Sequence, residues 1–283
     1  MSSILTNMSA MTAVQNLAAT QASLATVQNE ISTGMKVSSA QDDAAYWSIA
    51  TNMRTQNNDL TAVTSGLNLG SSVLGTASSA LNNMLTVLQS IQADVIKAQG
   101  AGVDLTSIQT DITQLQSQLS STVNSASFNG VNLLNNSAVT SGVNVVASVT
   151  GTGASLTSSF INVTGYDFST SANAAGLDGA GAVTVVGSTD NQAANLAKIG
   201  TAINNVQTAA ENIGASQNNI TIQSSFVSAL SNSITSGIGS LVDADMNEAS
   251  TRLNALQTQQ QLGVQALSVA NQNSQLILKL FGG

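Results

Sequence analysis

The chain has 283 residues, of which only 6 are basic and 14 acidic. Its net charge of −8 offers no cationic face for nucleic acid or for an anionic membrane surface. Cysteine and histidine are both absent, which removes disulfides, thiolate chemistry and the commonest general base and metal ligand. No catalytic site, metal or cofactor is therefore expected, and the complete lack of proline suits long unbroken helices.

The length is compatible with about two domains. The first residues hold no Lys or Arg before Lys36 and no continuous apolar run, so a cleaved secretory signal is not expected. No stretch is long and apolar enough to insert in a membrane. A first helix carries Leu17, Leu24, Val27 and Ile31 on heptad spacing, with Gly34 suited to its C-terminal turn. Asp42 and Asp43 follow. They are read as capping that turn and pairing with Lys36 or Arg54, because adjacent carboxylates point apart and no histidine is at hand to complete a metal site. Tyr46 and Trp47, flanked by Ala44, Ala45 and Ile49, are read as packed side chains.

A spacing that alternates three and four residues then runs through Leu60, Val63, Leu67, Gly70, Leu74, Ala77, Leu81, Met84, Leu88, Ile91 and Val95. A helix over 58–98 would be roughly 60 Å long at 1.5 Å per residue. After a break at "QGAGVD" the pattern resumes at Leu105, Ile108, Ile112, Leu115, Leu119, Thr122 and Ala126. Phe128, Asn129 and Gly130 form a turn signature. From Asn135 to about Asp190 the composition shifts to Gly, Ser, Thr and Val. Here "GVNVVASV", "SFINVTGYDF" and "GAVTVVGS" are the strand candidates.

The heptads return with Leu196, Ile199, Ile203, Val206, Ala210, Ile213, Gln217, Ile220, Ser224, Val227, Ser231, Ile234, Ile238 and Leu241. Beyond Asp245 the register shifts to Leu253, Leu256, Gln260, Gly263, Leu267, Ala270, Ser274 and Ile277. The fold expected is mainly α: an elongated rod of long antiparallel coiled-coil helices formed by both chain ends, with a small β-rich central insertion. The division expected is terminal helices over 1–40 and 246–283, a helical rod over 41–137 and 193–245, and the insertion over 138–192. The chain closes on "ANQNSQLILKLFGG", where Leu276, Ile277, Leu278, Leu280 and Phe281 crowd together. Leu262, Val264 and Val269 also lie off the heptad register. A helix apolar on several faces needs several neighbours, so the ends are expected to order fully only when copies of the chain assemble.

Several short strings carry a resemblance. They are "ISTGMKVSSAQDDAAY" from Ile31, "FNGVNLL" from Phe128, "IGASQNNI" from Ile213, "LVDADMNEAS" from Leu241 and "ALSVANQNSQLIL" from Ala266. Together they resemble bacterial flagellin, over about 1–136 and 195–283. Thr33, Gly34, Lys36, Ala40, Asp42, Asp43 and Ala45 match one family motif, with Arg54 close by. Phe128, Asn129 and Gly130 match a second, and Asp243 and Asp245 a third. Tyr46 and Trp47 depart from it, as does Asn219, which stands where an arginine is frequent.

The resemblance implies a subunit exported through a flagellum-specific channel and polymerised into an extracellular filament. The terminal helices would pair as a coiled-coil inner tube, the rod would form an outer tube, and the insertion would face solvent. Self-assembly would rest on Leu17, Leu24, Val27, Ile31, Leu253, Leu256, Leu267, Ile277, Leu278, Leu280 and Phe281. An export chaperone and junction and cap proteins are the implied partners besides the chain itself. Some relatives are read by an innate immune receptor through an arginine and a leucine on the first long rod helix. Aligned on Leu88 and Gln89, those positions are Ser90 and Asp94 here, which implies poor recognition. A hook–filament junction protein and a flagellin-like protein that binds surface polysaccharide are the alternatives.

Overall fold

A computed structural model describes residues 7–135, 142–151, 156–168, 183–185 and 190–281. For residues 190, 191 and 273–281 it gives the helical backbone only. Five helices and two short hairpins follow in order: α1 (Met8–Thr33), α2 (Ala44–Lys97), α3 (Leu105–Ser125), β1 (Ser127–Phe128), β2 (Val131–Asn132), β3 (Val143–Thr150), β4 (Thr157–Val163), α4 (Asp190–Val242) and α5 (Met246–Phe281). The chain is mainly α with a small β insertion, as the heptads predict. α2 starts well ahead of residue 58, because the Asp43 carboxylate accepts from the amides of Ala45 and Tyr46 and caps the helix there. The break at "QGAGVD" is real: α2 ends at Lys97, and Asp104 caps α3 through the amides of Thr106 and Ser107.

Packing divides the chain into two compact units, residues 1–55 with 233–283, and residues 56–232. These boundaries fall inside α2 and α4, whereas the sequence division follows helix ends.

In the 56–232 unit the heptad residues form the interior. Leu60, Val63, Leu67, Leu74, Ala77, Leu81, Met84, Leu88, Ile91 and Val95 of α2 are all buried. So are Ile108, Ile112 and Leu119 of α3, and Ile199, Val206, Ile213, Ile220 and Val227 of α4. Near the end of α3 the buried residue is Val123 rather than Thr122, whose hydroxyl instead donates to the Gln118 carbonyl. Ser90 is exposed, its hydroxyl on the Thr86 carbonyl, and the Asp94 carboxylate lies 2.7 Å from the Lys97 ammonium.

The first hairpin in this unit has a local cause. Asn129 and Gly130 take φ of 51° and 80°, the left-handed pair that a two-residue hairpin turn requires, and so join β1 to β2. β3 and β4 pair antiparallel, with Val143 opposite Val163 and an irregularity between Val146 and Ser148. Gly70 on α2 admits the hairpin closely, since a Cβ there would stand 2.7 Å from both methyls of Val145. The third strand candidate is corrected over its described part. Val183 and Val185 are buried but lie in no strand, because side chains satisfy their backbone: Gln109 accepts from the Val185 amide, Gln109 and Gln116 donate to the Val183 carbonyl, and Asn195 donates to that of Thr184. The remainder of "GAVTVVGS" lies outside the described residues.

Candidate assembly surface

In the unit built from residues 1–55 and 233–283, α1 and α5 pack along one another. They run antiparallel. Asn7, at the start of α1, accepts from the Ala10 amide as its cap and donates to the Ala270 carbonyl at 2.9 Å, late in α5. At the other end of α1, Gly34 takes a left-handed φ of 72° and its amide closes the helix on the Glu30 carbonyl.

The chain segments between helices are then tied across the start of α5. The amides of Lys36 and Val37 both donate to the Val242 carbonyl, and that of Ala244 donates to the Gly34 carbonyl, beside a bridge between Met35 and Asp243. Val37, Ala50 and Val242 form a small buried cluster there, with Met35, Ile238 and Leu241 against it.

The seam between α1 and α5 is the one the spacing predicts. Leu17, Leu24 and Ile31 are half-buried and Val27 is buried; Leu253, Leu256, Gln260, Gly263, Leu267 and Ala270 are half-buried. Gly263 faces Leu17 across the seam, where a Cβ would meet the movable Leu17 Cδ1 at 3.2 Å. Off the seam, Met8, Met11 and Val14 on α1 and Leu262, Val264 and Val269 on α5 are exposed. The side chains of Ile277, Leu278, Leu280 and Phe281 lie outside the described residues, although the backbone remains helical to Phe281.

Of the acidic motif residues, Asp42, Asp43 and Asp245 are capping groups. Asp42 accepts from the amides and hydroxyls of both Ser38 and Ser39, which hold its carboxyl below the usual carboxylate range, the Ser39 amide contributing most. Asp245 accepts from the amides of Asn247 and Glu248 and starts α5. The salt bridges expected from Asp42 or Asp43 to Lys36 or Arg54 are absent among the described residues. The carboxylates are already engaged by local donors, and the Arg54 guanidinium turns instead to Met35 Sδ at 3.5 Å. Lys36 is exposed beside a small polar cleft that it lines with Glu30, Asp245, Glu248 and Arg252.

Tyr46 and Trp47 are also corrected. They are exposed rather than packed, because this turn of α2 is buried through Ala50 alone. Among the described residues no helix is long and apolar enough to cross a membrane.

Residues 4–139 match the family model of the bacterial flagellin N-terminal helical region, and residues 196–281 that of the bacterial flagellin C-terminal helical region. The two matches flank the β3–β4 hairpin. The chain is 43% identical over 291 residues to the flagellin of Brucella melitensis biotype 1, and the alignment covers 100% of both chains. It is 38% identical over 319 residues to flagellin C of Rhizobium meliloti strain 1021, covering 99% of each chain. To flagellin A of the same strain it is 33% identical over 395 residues, covering 99% of this chain and 100% of that one. Two terminal helical regions in family order, and relatives aligned from end to end, establish that this chain belongs to the bacterial flagellin family.

Proposed function

We propose that the chain is the repeating structural subunit of an extracellular flagellar filament, and that neighbouring copies cover the faces of α1 and α5 left open in the single chain. One observation carries the reading. The α1–α5 pair has a seam that is only half-buried, backed by exposed Met8, Met11, Val14, Leu262, Val264 and Val269. A coiled-coil pair with apolar residues on its outer faces gains free energy by acquiring further helices. In this reading residues 1–40 and 246–283 form the inner tube and Leu276 to Phe281 join its core. Residues 41–137 and 193–245 form the outer tube, and 138–192 face solvent. The family is a structural one, and the capping roles of Asp42, Asp43 and Asp245 give their carboxylates structural work rather than chemistry.

Export without a cleaved signal, delivery by a chaperone, and contact with junction and cap proteins complete the assignment. The engagement of Asp94 by Lys97, beside the short side chain of Ser90, supports weak recognition by the innate receptor that reads some relatives. Robust signalling by purified monomer would overturn that part.

The test is seeded growth. Monomer released by acid or heat and mixed with short filament fragments at neutral pH should elongate into long filaments under negative stain. Chain lacking residues 254–283 should not. Rings that never elongate would favour a junction protein instead.

A further inference from the structure

The chain contains no cysteine, so its most readily oxidised side chains are the thioethers of its seven methionines. The six within the described residues differ widely in exposure. Met8, Met11 and Met246 are 69%, 53% and 43% exposed, Met35 and Met53 are half-buried, and Met84 is 2% exposed in the interior of the 56–232 unit. An oxidant in solution therefore meets three of these sulfurs first and reaches Met84 last.

Position singles out two of the three. Met8 and Met11 stand three residues apart on α1, with Val14 three further on, so these side chains line one side of the helix. They lie at the end of the α1–α5 pair where Asn7 holds the Ala270 carbonyl, on the outer face that the seam leaves uncovered. Met246 opens α5 and so lies at the opposite end of the same antiparallel pair. A thioether gives the outer face the apolar character that a leucine would, but only the thioether can lose it by gaining one oxygen.

We infer that Met8 and Met11 form an oxidation site that decides whether a free subunit can assemble. The inference rests on the filament reading and names a chemical control of that same surface. With hydrogen peroxide as the oxidant, a sulfur lone pair attacks one peroxide oxygen, and the O–O bond breaks as the S–O bond forms. Sulfur is oxidised to the sulfoxide and peroxide is reduced. The departing hydroxide takes up the proton of the transferred oxygen and leaves as water. The sulfoxide oxygen is a hydrogen-bond acceptor that water satisfies in the free subunit. Covering it with apolar surface strips that water away, at a cost the thioether never incurs. A free subunit is thus open to the oxidant, and an assembled one is shielded by its neighbours.

Peptide mapping by mass spectrometry should find Met8 and Met11 converted well before Met84 when full-length monomer meets dilute hydrogen peroxide, and protected in finished filaments. The treated monomer should keep its circular dichroism, yet its critical concentration for seeded elongation should rise by about tenfold or more. Repair by a pair of methionine sulfoxide reductases, one for each sulfur epimer, with dithiothreitol as the reductant, should restore elongation. The double variant Met8→Leu, Met11→Leu, in which Met246 still oxidises, should elongate equally well before and after peroxide. Elongation lost on treatment of that variant would overturn the inference. So would oxidised chain that elongates normally, or Met8 and Met11 reacting no sooner than Met84 in monomer or no more slowly in filaments. If the untreated, unsubstituted chain fails to elongate, the filament reading falls first and this control with it.

Discussion

The same three-and-four spacing is spent differently in the two units. Within residues 56–232 it encloses an interior: Leu67, Leu74, Leu81, Met84, Leu88 and Ile91 of α2 are almost completely removed from water. Along α1 and α5 it produces a seam of half-buried residues in which Val27 and Ala249 are the buried members among those described. Periodicity decides which side of a helix turns inward. The number of neighbouring elements decides how far inward it goes, and one partner helix cannot surround another.

The largest expected effect separates the units directly. Leu81→Ala should destabilise the unassembled chain by about 2–5 kcal/mol, the cost of truncating a fully buried leucine. Leu24→Ala, on a half-exposed seam, should cost less than half as much, scaling with the area it hides (about 25 cal/mol per Å²). Urea unfolding followed by Trp47 fluorescence, which reports the 1–55/233–283 unit, and by circular dichroism, which reports both, would check this. Equal losses would break the comparison.

Glycines sharpen it further. Gly70→Ala forces a Cβ to within 2.7 Å of the stiff, β-branched Val145, whereas Gly263→Ala meets the rotatable end of Leu17 at 3.2 Å. The first should destabilise by about 1–3 kcal/mol through overpacking, offset by about 1 kcal/mol of helix propensity. The second should stabilise the α1–α5 pair by about 0.5–1 kcal/mol, because Leu17 can yield. Thermal unfolding of the two variants should therefore move in opposite directions.

Next comes Asn7→Ala, which removes both the cap of α1 and the bond to the Ala270 carbonyl. A loss of about 0.5–2 kcal/mol is expected, read as faster hydrogen exchange in the first turns of α1. Asn7→Ser, which can still cap, should restore part of the protection.

The smallest effect is one of pH, and it is shared by the units. Asp42 in one and Asp104 in the other are held below the ordinary carboxylate value of 3.8, Asp42 chiefly by the Ser39 amide and Asp104 chiefly by the Ser107 hydroxyl. Depressed carboxylates stabilise fully above that value. The contribution is lost as pH falls through the lower folded value. Both turns should hold at neutral pH and loosen only in strong acid, and Asp104→Asn should flatten that acid limb. Loosening near neutrality would contradict the assignment.

Most of the helical architecture was legible in the sequence, since a spacing near 3.5 is imposed by helix geometry itself. What escaped has particular causes. Val123 displaces Thr122 because a hydroxyl can satisfy itself on the preceding turn while a valine cannot. Val183 and Val185 look like a strand, but their backbone partners are the Gln109 and Gln116 side chains, remote in sequence. Tyr46 and Trp47 stand exposed because residue type predicts burial only where a neighbour exists.

The backbone tie of residues 34–37 to 242–244 also fixes an order of events. α1 ends about two hundred residues before α5 begins. At about 5–20 residues per second, the N-terminal segment must wait on the order of 10–40 s for the partner that gives it a folded state. The rest of the molecule can settle meanwhile. α5 therefore acts as a clock, keeping the stickiest part of the subunit unformed until it has itself been made.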